Sequence, residues 1–230
     1  MNIVIKLSGE GLSSDEEKYS EGVLGNIADQ IRMLMQKGHR VALVVGGGNL
    51  FRGRDLYGNL GIKEATAHYI GMLATIQNAL VLRDYFGSRG VEARISSAIA
   101  MPQVCEEYIP QRVLRHLEKG RLVIFAAGLG IPYFTTDTCA VQRSLEINAE
   151  VLVMAKNGVD GLYSADPDKD KSAKFIKRAR ATDIVEKGLK VADLSAIALA
   201  KENNLHIKVV SVNQIATSLD KDVGSTIEPI

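Results

Sequence analysis

FAAGLGIPYFTTDTCAVQRSLEINAEVLVMAKNGVDGLYSADP, residues 125–167, opens on the tail of a short apolar strand, 122–126, that breaks at Gly128 and Gly130. A polar cluster follows: Thr135, Thr136, Asp137 and Thr138. A helical pattern begins there, with Val141, Leu145 and Ile147 on one side. A second apolar strand, 151–154, leads into Gly158, Asp160, Gly161, Tyr163 and Asp166. Strand, glycine turn, hydroxyl-rich helix start and strand together place polar groups at the C-terminal edge of a parallel sheet, where open α/β folds bind ligands. Threonine and aspartate also cap helices. One such residue suffices for a cap, and this stretch has four, so it is a candidate site.

Working outward, 3–7 is a β-branched run that predicts a buried strand. Lys6 interrupts it, and Ser8, Gly9, Glu10 and Gly11 follow. Two readings fit Lys6: a side chain snorkelling at the sheet's edge, or a cation aimed at phosphate beside glycines that admit backbone amides. Residues 23–37 recur at helical spacing and end at Gly38. Strand 41–45 runs into Gly46, Gly47, Gly48 and Asn49, then Arg52 and Gly53. Three glycines serve no purpose in a core, cost backbone entropy, and form a nest of free amides suited to an anion. Arg52 adds a bidentate phosphate donor. The Gly-Lys-Ser/Thr ending of a P-loop is absent.

A long helix is expected over 66–86, with Ile70, Leu73, Ala74, Leu80 and Val81 inward. His68 stands at its start, where a lone histidine is ordinarily a surface residue. A third strand is expected at 91–95 and a helix at 110–119. Residues 167–180, rich in Lys and Asp, predict a solvated loop or edge. Thr182 is expected to cap a helix ending near Lys187, and Asp193 to cap the helix 194–202, with a site role also open. A strand at 207–212, a helical 214–219 and a strand at 225–227 complete the chain. Strands and helices alternate without linker or repeat. The expectation is one α/β domain over residues 1–230, a mostly parallel sheet covered on both faces.

Composition narrows the function. The 230 residues are 46% hydrophobic and 24% charged, with net charge +1, so no global field argues for nucleic acid. Cys105 and Cys139 lack CxxC spacing, and the four histidines show no metal pairing, so no protein-borne metal site is expected. The absence of a signal-like start or a membrane-length apolar run leads to an expectation of a reducing, cytoplasmic setting and no membrane. Lys6, the glycine nest, Arg52, the threonine cluster with Asp137, and Asp166 supply cations, amides and carboxylates. No GxSxG serine or paired cysteine is present. Such parts suit phosphoryl transfer, which needs positioning and charge neutralisation with Mg²⁺.

The motifs KLSGE (6–10), VVGGGNLFRG (44–53), IGMLAT (70–75), FTTDT (134–138), NGVDGLYSADP (157–167) and KVADLSA (190–196) span nearly the whole chain. Their combination resembles the amino acid kinase superfamily and, within it, the bacterial UMP kinases. The resemblance implies a three-layer αβα sandwich, usually a homohexamer, that moves the γ-phosphate of ATP to UMP. It implies that Lys6, Leu7, Ser8, Gly9, Gly48 and Arg52 lie on ATP phosphates. Lys6 and Arg52 would stabilise the transferring group, and Asp137 would orient Lys6. Gly47, His68 and the run Leu129, Gly130, Ile131, Pro132, Tyr133, Phe134, Thr135 and Thr136 would hold UMP. Asn157, Tyr163 and Asp166 would hold the adenine nucleotide, with Mg²⁺ accompanying ATP.

Three positions depart from the family, His68, Leu129 and Ile131. Relatives usually carry an aspartate, which accepts from the ribose hydroxyls, where this chain has His68. A neutral imidazole accepts one hydrogen bond at most and gains charge below about pH 6.5. The usual GTGNP is GLGIP at 128–132. Arg83, Asp84 and Arg94 match positions near the GTP effector site of some relatives, with a plain helix-end charge pair as the other reading. GTP activation and UTP inhibition are the corresponding expectations. A sibling kinase with a carboxylate or carbamate acceptor, and a nucleotide-binding storage or regulatory protein on the same fold, are the alternative functions.

Overall fold

The computed structural model describes residues 1–14, 17–51, 61–167, 169–189 and 191–229. Nine strands form one sheet in the order β4-β3-β5-β2-β1-β6-β10-β11-β9. They are β1 (Asn2–Leu7), β2 (Arg40–Val45), β3 (Ala93–Ser97), β4 (Glu106–Glu107), β5 (Leu122–Ala126), β6 (Val151–Lys156), β9 (Arg178–Arg180), β10 (Ile207–Ser211) and β11 (Ser225–Glu228). Every neighbouring pair is parallel except β10 with β11. A separate antiparallel pair joins β7 (Leu162–Tyr163) to β8 (Phe175–Ile176). The α-helices among the described residues are α1 (Glu21–Gln36), α2 (Glu64–Ser88), α3 (Pro110–Glu118), α4 (Thr136–Glu146), α5 (Ala181–Lys187) and α6 (Leu194–Glu202).

Central strands such as β1 are buried almost end to end because helices cover both faces. Alternation sends Ile3, Ile5 and Leu7 toward Leu24, Ile27, Ile31 and Leu34 of α1 and Met72, Ile76 and Phe86 of α2. Val4 turns the other way, with Ala42 and Val44 of β2, toward α3, α4 and α6. This is the expected αβα sandwich with a mostly parallel sheet. Among the described residues, no helix is long and apolar enough to cross a membrane.

Several local expectations shift. Helix α2 begins at Glu64, so His68 lies inside it and not at its start. Leu73, expected inward, is 43% exposed, while Met72 and Ile76 are buried. Helix α2 is apolar on nearly every side, and its periodicity therefore could not select the buried face. Strand β3 sits two residues later than 91–95. Residues 212–217 form a 3₁₀ turn in place of the helix expected at 214–219. Arg180, not Thr182, is the N-cap residue of α5. Residues 167–180, expected as a loop or edge, contain β8 and the edge strand β9.

Candidate active site

Strands β5, β2, β1 and β6 lie side by side and parallel, so the segments that follow them leave the same edge of the sheet. Lys6 is near that edge on β1. It is not a snorkelling side chain at the sheet's lateral margin. It lies on an interior strand, 8% exposed, on the face covered by α4. Its Nζ meets Asp137 Oδ1 of the first α4 turn at 2.8 Å.

Each polar residue of the 135–138 cluster has a separate task. Thr135 is the N-cap of α4, its hydroxyl oxygen accepting from the amides of Asp137 at 3.1 Å and Thr138 at 3.2 Å. Asp137 pairs with Lys6. The Thr138 hydroxyl donates to Asp193. Thr136 faces a cavity.

That cavity, about 620 Å³, lies between the β2 and β5 loops and α2. Gly47, His68, Leu129, Ile131, Phe134, Thr135 and Thr136, all expected at the acceptor, line it. So do Gly48, expected on the donor, and Glu10 and Glu64, which sequence reading missed. Gly130, Pro132 and Tyr133 are not among the lining residues. Gly130 has φ +78°, and a Cβ there would stand 2.9 Å from the Ala98 carbonyl oxygen. Tyr133, 65% exposed, brings its ring to 5.0 Å from that of His68. The wall's backbone is preset: Ala127 holds φ +62°, a conformation costly outside glycine. The Thr75 hydroxyl anchors it, accepting from Ala127 N–H at 2.7 Å.

The glycine run has a second purpose. A Cβ on Gly46 would stand 2.9 Å from Gly9 N, and one on Gly47 would stand 2.9 Å from both the Gly71 carbonyl oxygen and Ala74 Cβ. Close packing therefore requires two of the three, contrary to the expectation that a core has no use for them. Gly48 has more room, with Glu10 at 3.6 Å, while its own amide nitrogen would lie 2.4 Å from a Cβ at Gly9. The β1 and β2 loops thus touch through glycine backbone. Leu7 is fully buried, and the Ser8 hydroxyl accepts from Gly11 N–H at 3.2 Å. Arg52 and Gly53 lie outside the described residues.

Beyond β6 the site opens. Asn157 and Asp166 are exposed. Tyr163 donates to Asp160 Oδ1 at 2.7 Å and meets Phe175 of β8 edge-on at 5.4 Å. Phe175 is another residue missed in the sequence. So is Lys156, which ends β6 as Lys6 nearly ends β1. Lys156 Nζ donates to the Val191 carbonyl at 2.6 Å. Burial lowers its pKa, Lys6 acts in the same direction, and the Asp137 charge opposes both.

Arg83 and Asp84 form the expected charge pair at 2.8 Å. Arg83 and Arg94 also line a second cavity of about 440 Å³ with Arg112, Cys105, Glu106 and Glu107, whereas Asp84 is not among its lining residues. Among the described residues, no group of three or more His, Cys, Asp or Glu side chains gathers to hold a metal.

The arrangement fits the relatives found by comparison. The model of the amino acid kinase family matches residues 1–211. A uridylate kinase from Corynebacterium efficiens is 46% identical over 210 residues, 91% of this chain and 86% of that protein. One from Limosilactobacillus reuteri is 45% identical over 98% of this chain and 96% of its own length. The crystal structure of UMP kinase from Bacillus anthracis superposes with a TM-score of 0.93 at 36% identity, covering 99% of this chain and 96% of that one. The chain belongs to the amino acid kinase family and, within it, to the uridylate kinases.

Proposed function

We propose that this chain transfers the γ-phosphate of ATP to UMP, giving ADP and UDP, and that it works as one amino acid kinase domain. The observation that carries the reading is the buried Lys6–Asp137 ion pair at 2.8 Å, beside a cavity sized for a small ligand on one side and the open β6 edge on the other. UMP takes the enclosed side, against Gly47, His68 and Leu129, Gly130, Ile131, Pro132, Tyr133, Phe134, Thr135 and Thr136. ATP takes the other, with its phosphates over Lys6, Leu7, Ser8, Gly9 and Gly48 and its nucleoside toward Asn157, Tyr163 and Asp166. Lys6 and Arg52 meet the charge that develops on the transferred group, and Asp137 holds Lys6 in place. The attacking UMP phosphate is already anionic, so alignment matters more than deprotonation.

Mg²⁺ would enter with ATP, whose phosphates would supply most of its ligands. Held with ATP, the ion would supply neutralisation of phosphate charge. The exposed Tyr69 and Leu73 on α2 support self-association, with a homohexamer as the assembly. Light scattering of the purified protein checks that. The free thiols of Cys105 and Cys139 suit a cytoplasmic setting. The arginine-lined second cavity is the proposed place for GTP or UTP as effectors. A steady-state assay unmoved by either nucleotide removes that role.

The deciding experiment is ADP release from Mg-ATP with UMP, CMP, dUMP, acetylglutamate or aspartate in turn. Turnover with UMP is expected. Turnover with only another acceptor would mean that His68 and Gly128–Pro132 had redirected the pocket. ATP binding without any turnover would favour storage or regulation.

A further inference from the structure

Asp193 precedes α6, yet half of its contacts are on α4. Its Oδ1 accepts from the Ala196 amide at 2.9 Å and so caps α6. Its carboxylate also accepts from the Thr138 hydroxyl, at 2.9 and 3.1 Å to the two oxygens, and from the Thr135 hydroxyl. A helix cap requires only the first of these. Burial works against the Asp193 charge, but the hydrogen bonds from Thr135, Ala196, Thr138 and Ser195 outweigh it and hold the pKa below the ordinary aspartate value.

Thr135 transmits this contact. A hydroxyl carries one proton and two lone pairs. Its proton is committed to Asp193, so its lone pairs face the amides of Asp137 and Thr138 that open α4. The first turns of two helices thus converge on one carboxylate, a favourable position for negative charge. Asp137 sits between the two anchored threonines in sequence, about 100° around the helix from Thr138. Its own carboxylate meets Lys6. The segment before Asp193 is held as well, through Lys156 Nζ and the Val191 carbonyl.

We propose that Asp193 is a positioning residue for phosphoryl transfer: it locks the turn from Thr135 to Thr138, which sets Asp137 and, through it, Lys6. The proposal rests on the roles assigned above to Lys6 and Asp137.

Asp193→Asn tests it. Asparagine caps helices as well as aspartate does, so α6 keeps its start, but one amide oxygen must now serve the four donors that the carboxylate shares between two. The expected loss in kcat is about 10²-fold, the size associated with displacing a reacting group by about 1 Å. The KM for ATP should stay within about twofold, as for an interaction that acts in the transition state, and the fall in kcat should exceed any rise in the KM for UMP, which Thr135 and Thr136 of the same turn also face. Asp137→Asn with Asp193→Asn should cost little more than Asp137→Asn alone, because both act on one unit. Thr138→Val should lower kcat without touching the carboxylate, and Thr138→Ser should restore it. The threonine pair carries the test should Asp193→Asn fail to fold. Wild-type kcat in Asp193→Asn, losses that add to those of Asp137→Asn, or a Thr138→Val defect that serine does not rescue would overturn the positioning role alone. No turnover of UMP by the wild type would overturn both this role and the proposed function.

Discussion

The two halves of the sheet edge, divided at Lys6, are built differently. On the β2 and β5 side the backbone itself is the wall. Gly47 lies against α2, Ala127 and Gly128 hold positive φ, and Thr75 anchors the turn from behind. On the β6 side the expected contacts are side chains on and around the β7–β8 pair, with Asn157 and Asp166 exposed and Phe175 42% exposed. One half has paid its ordering cost during folding, and the other leaves its contacts to form with the ligand. The acceptor half should therefore control what is phosphorylated, and the donor half how tightly ATP is held.

The boundary itself should give the largest effect. Lys6→Ala removes the cation at the boundary and leaves the buried Asp137 Oδ1 without its partner. A fall in kcat of about 10³-fold is expected, the scale of losing a preorganised transition-state charge partner. Asp137→Asn should act on the same step, with losses that do not add. Single-turnover kinetics on folded variants measure this, and near-normal turnover in Lys6→Ala would end the role given to it.

Damage confined to one half comes next. Gly47→Ala introduces a Cβ 2.9 Å from Gly71 O and Ala74 Cβ, so α2 must shift away from the β2 loop. Overpacking of this kind costs about 1–3 kcal/mol. Because His68, Gly71, Met72 and Thr75 of α2 line the cavity, the shift deforms the acceptor side. A lower melting temperature and roughly tenfold weaker UMP binding are expected, with ATP binding unchanged by calorimetry. Equal weakening of both ligands would show that the halves are not separable.

On the other side, Phe175→Ala removes the edge-on partner of Tyr163. An aromatic pair contributes about 0.5–1.5 kcal/mol, so the KM for ATP should rise roughly threefold to tenfold while that for UMP stays constant. A matching rise for UMP would show that the donor half also acts on the acceptor site.

The same division governs what the sequence discloses. Strands β1, β2, β5 and β6 are legible because a strand covered on both faces is a continuous apolar run. Lys6 and Asp137 are legible as polar residues in places where a core or a cap alone has no need of them. The β7–β8 pair is not, since strands of two residues have no period to detect. Nor is the packing duty of Gly46 and Gly47, which depends on loops and a helix far away in sequence. The exposure of Leu73 is not legible either, because almost every side of α2 is apolar. Lys156 does carry a signal, a lysine closing an apolar strand just as Lys6 does, but the contacts that distinguish it come from Val191, which is remote in the chain.

Lys156 gives the smallest effect and tests whether a charge buried at the boundary costs stability. Burial holds its folded pKa below the lysine value of 10.5, with Lys6 adding to the shift and Asp137 opposing it. Between the folded and the unfolded pKa, the unfolded chain binds more protons at this site than the folded one. Stability therefore rises with pH through that window, as the folded lysine gives up a charge that is costly to bury. Below the window both states are protonated, and the cost is present in full. Lys156→Met removes the titration while roughly conserving length. Subtracting the stability of the variant from that of the wild type cancels the other alkaline groups, including Cys139, whose thiol burial pushes up to about 12. The difference, from denaturant melts between neutral pH and pH about 10.5, should move in favour of the wild type as pH rises. A flat difference would mean that the Val191 carbonyl and the Asp137 charge fully offset burial at Lys156.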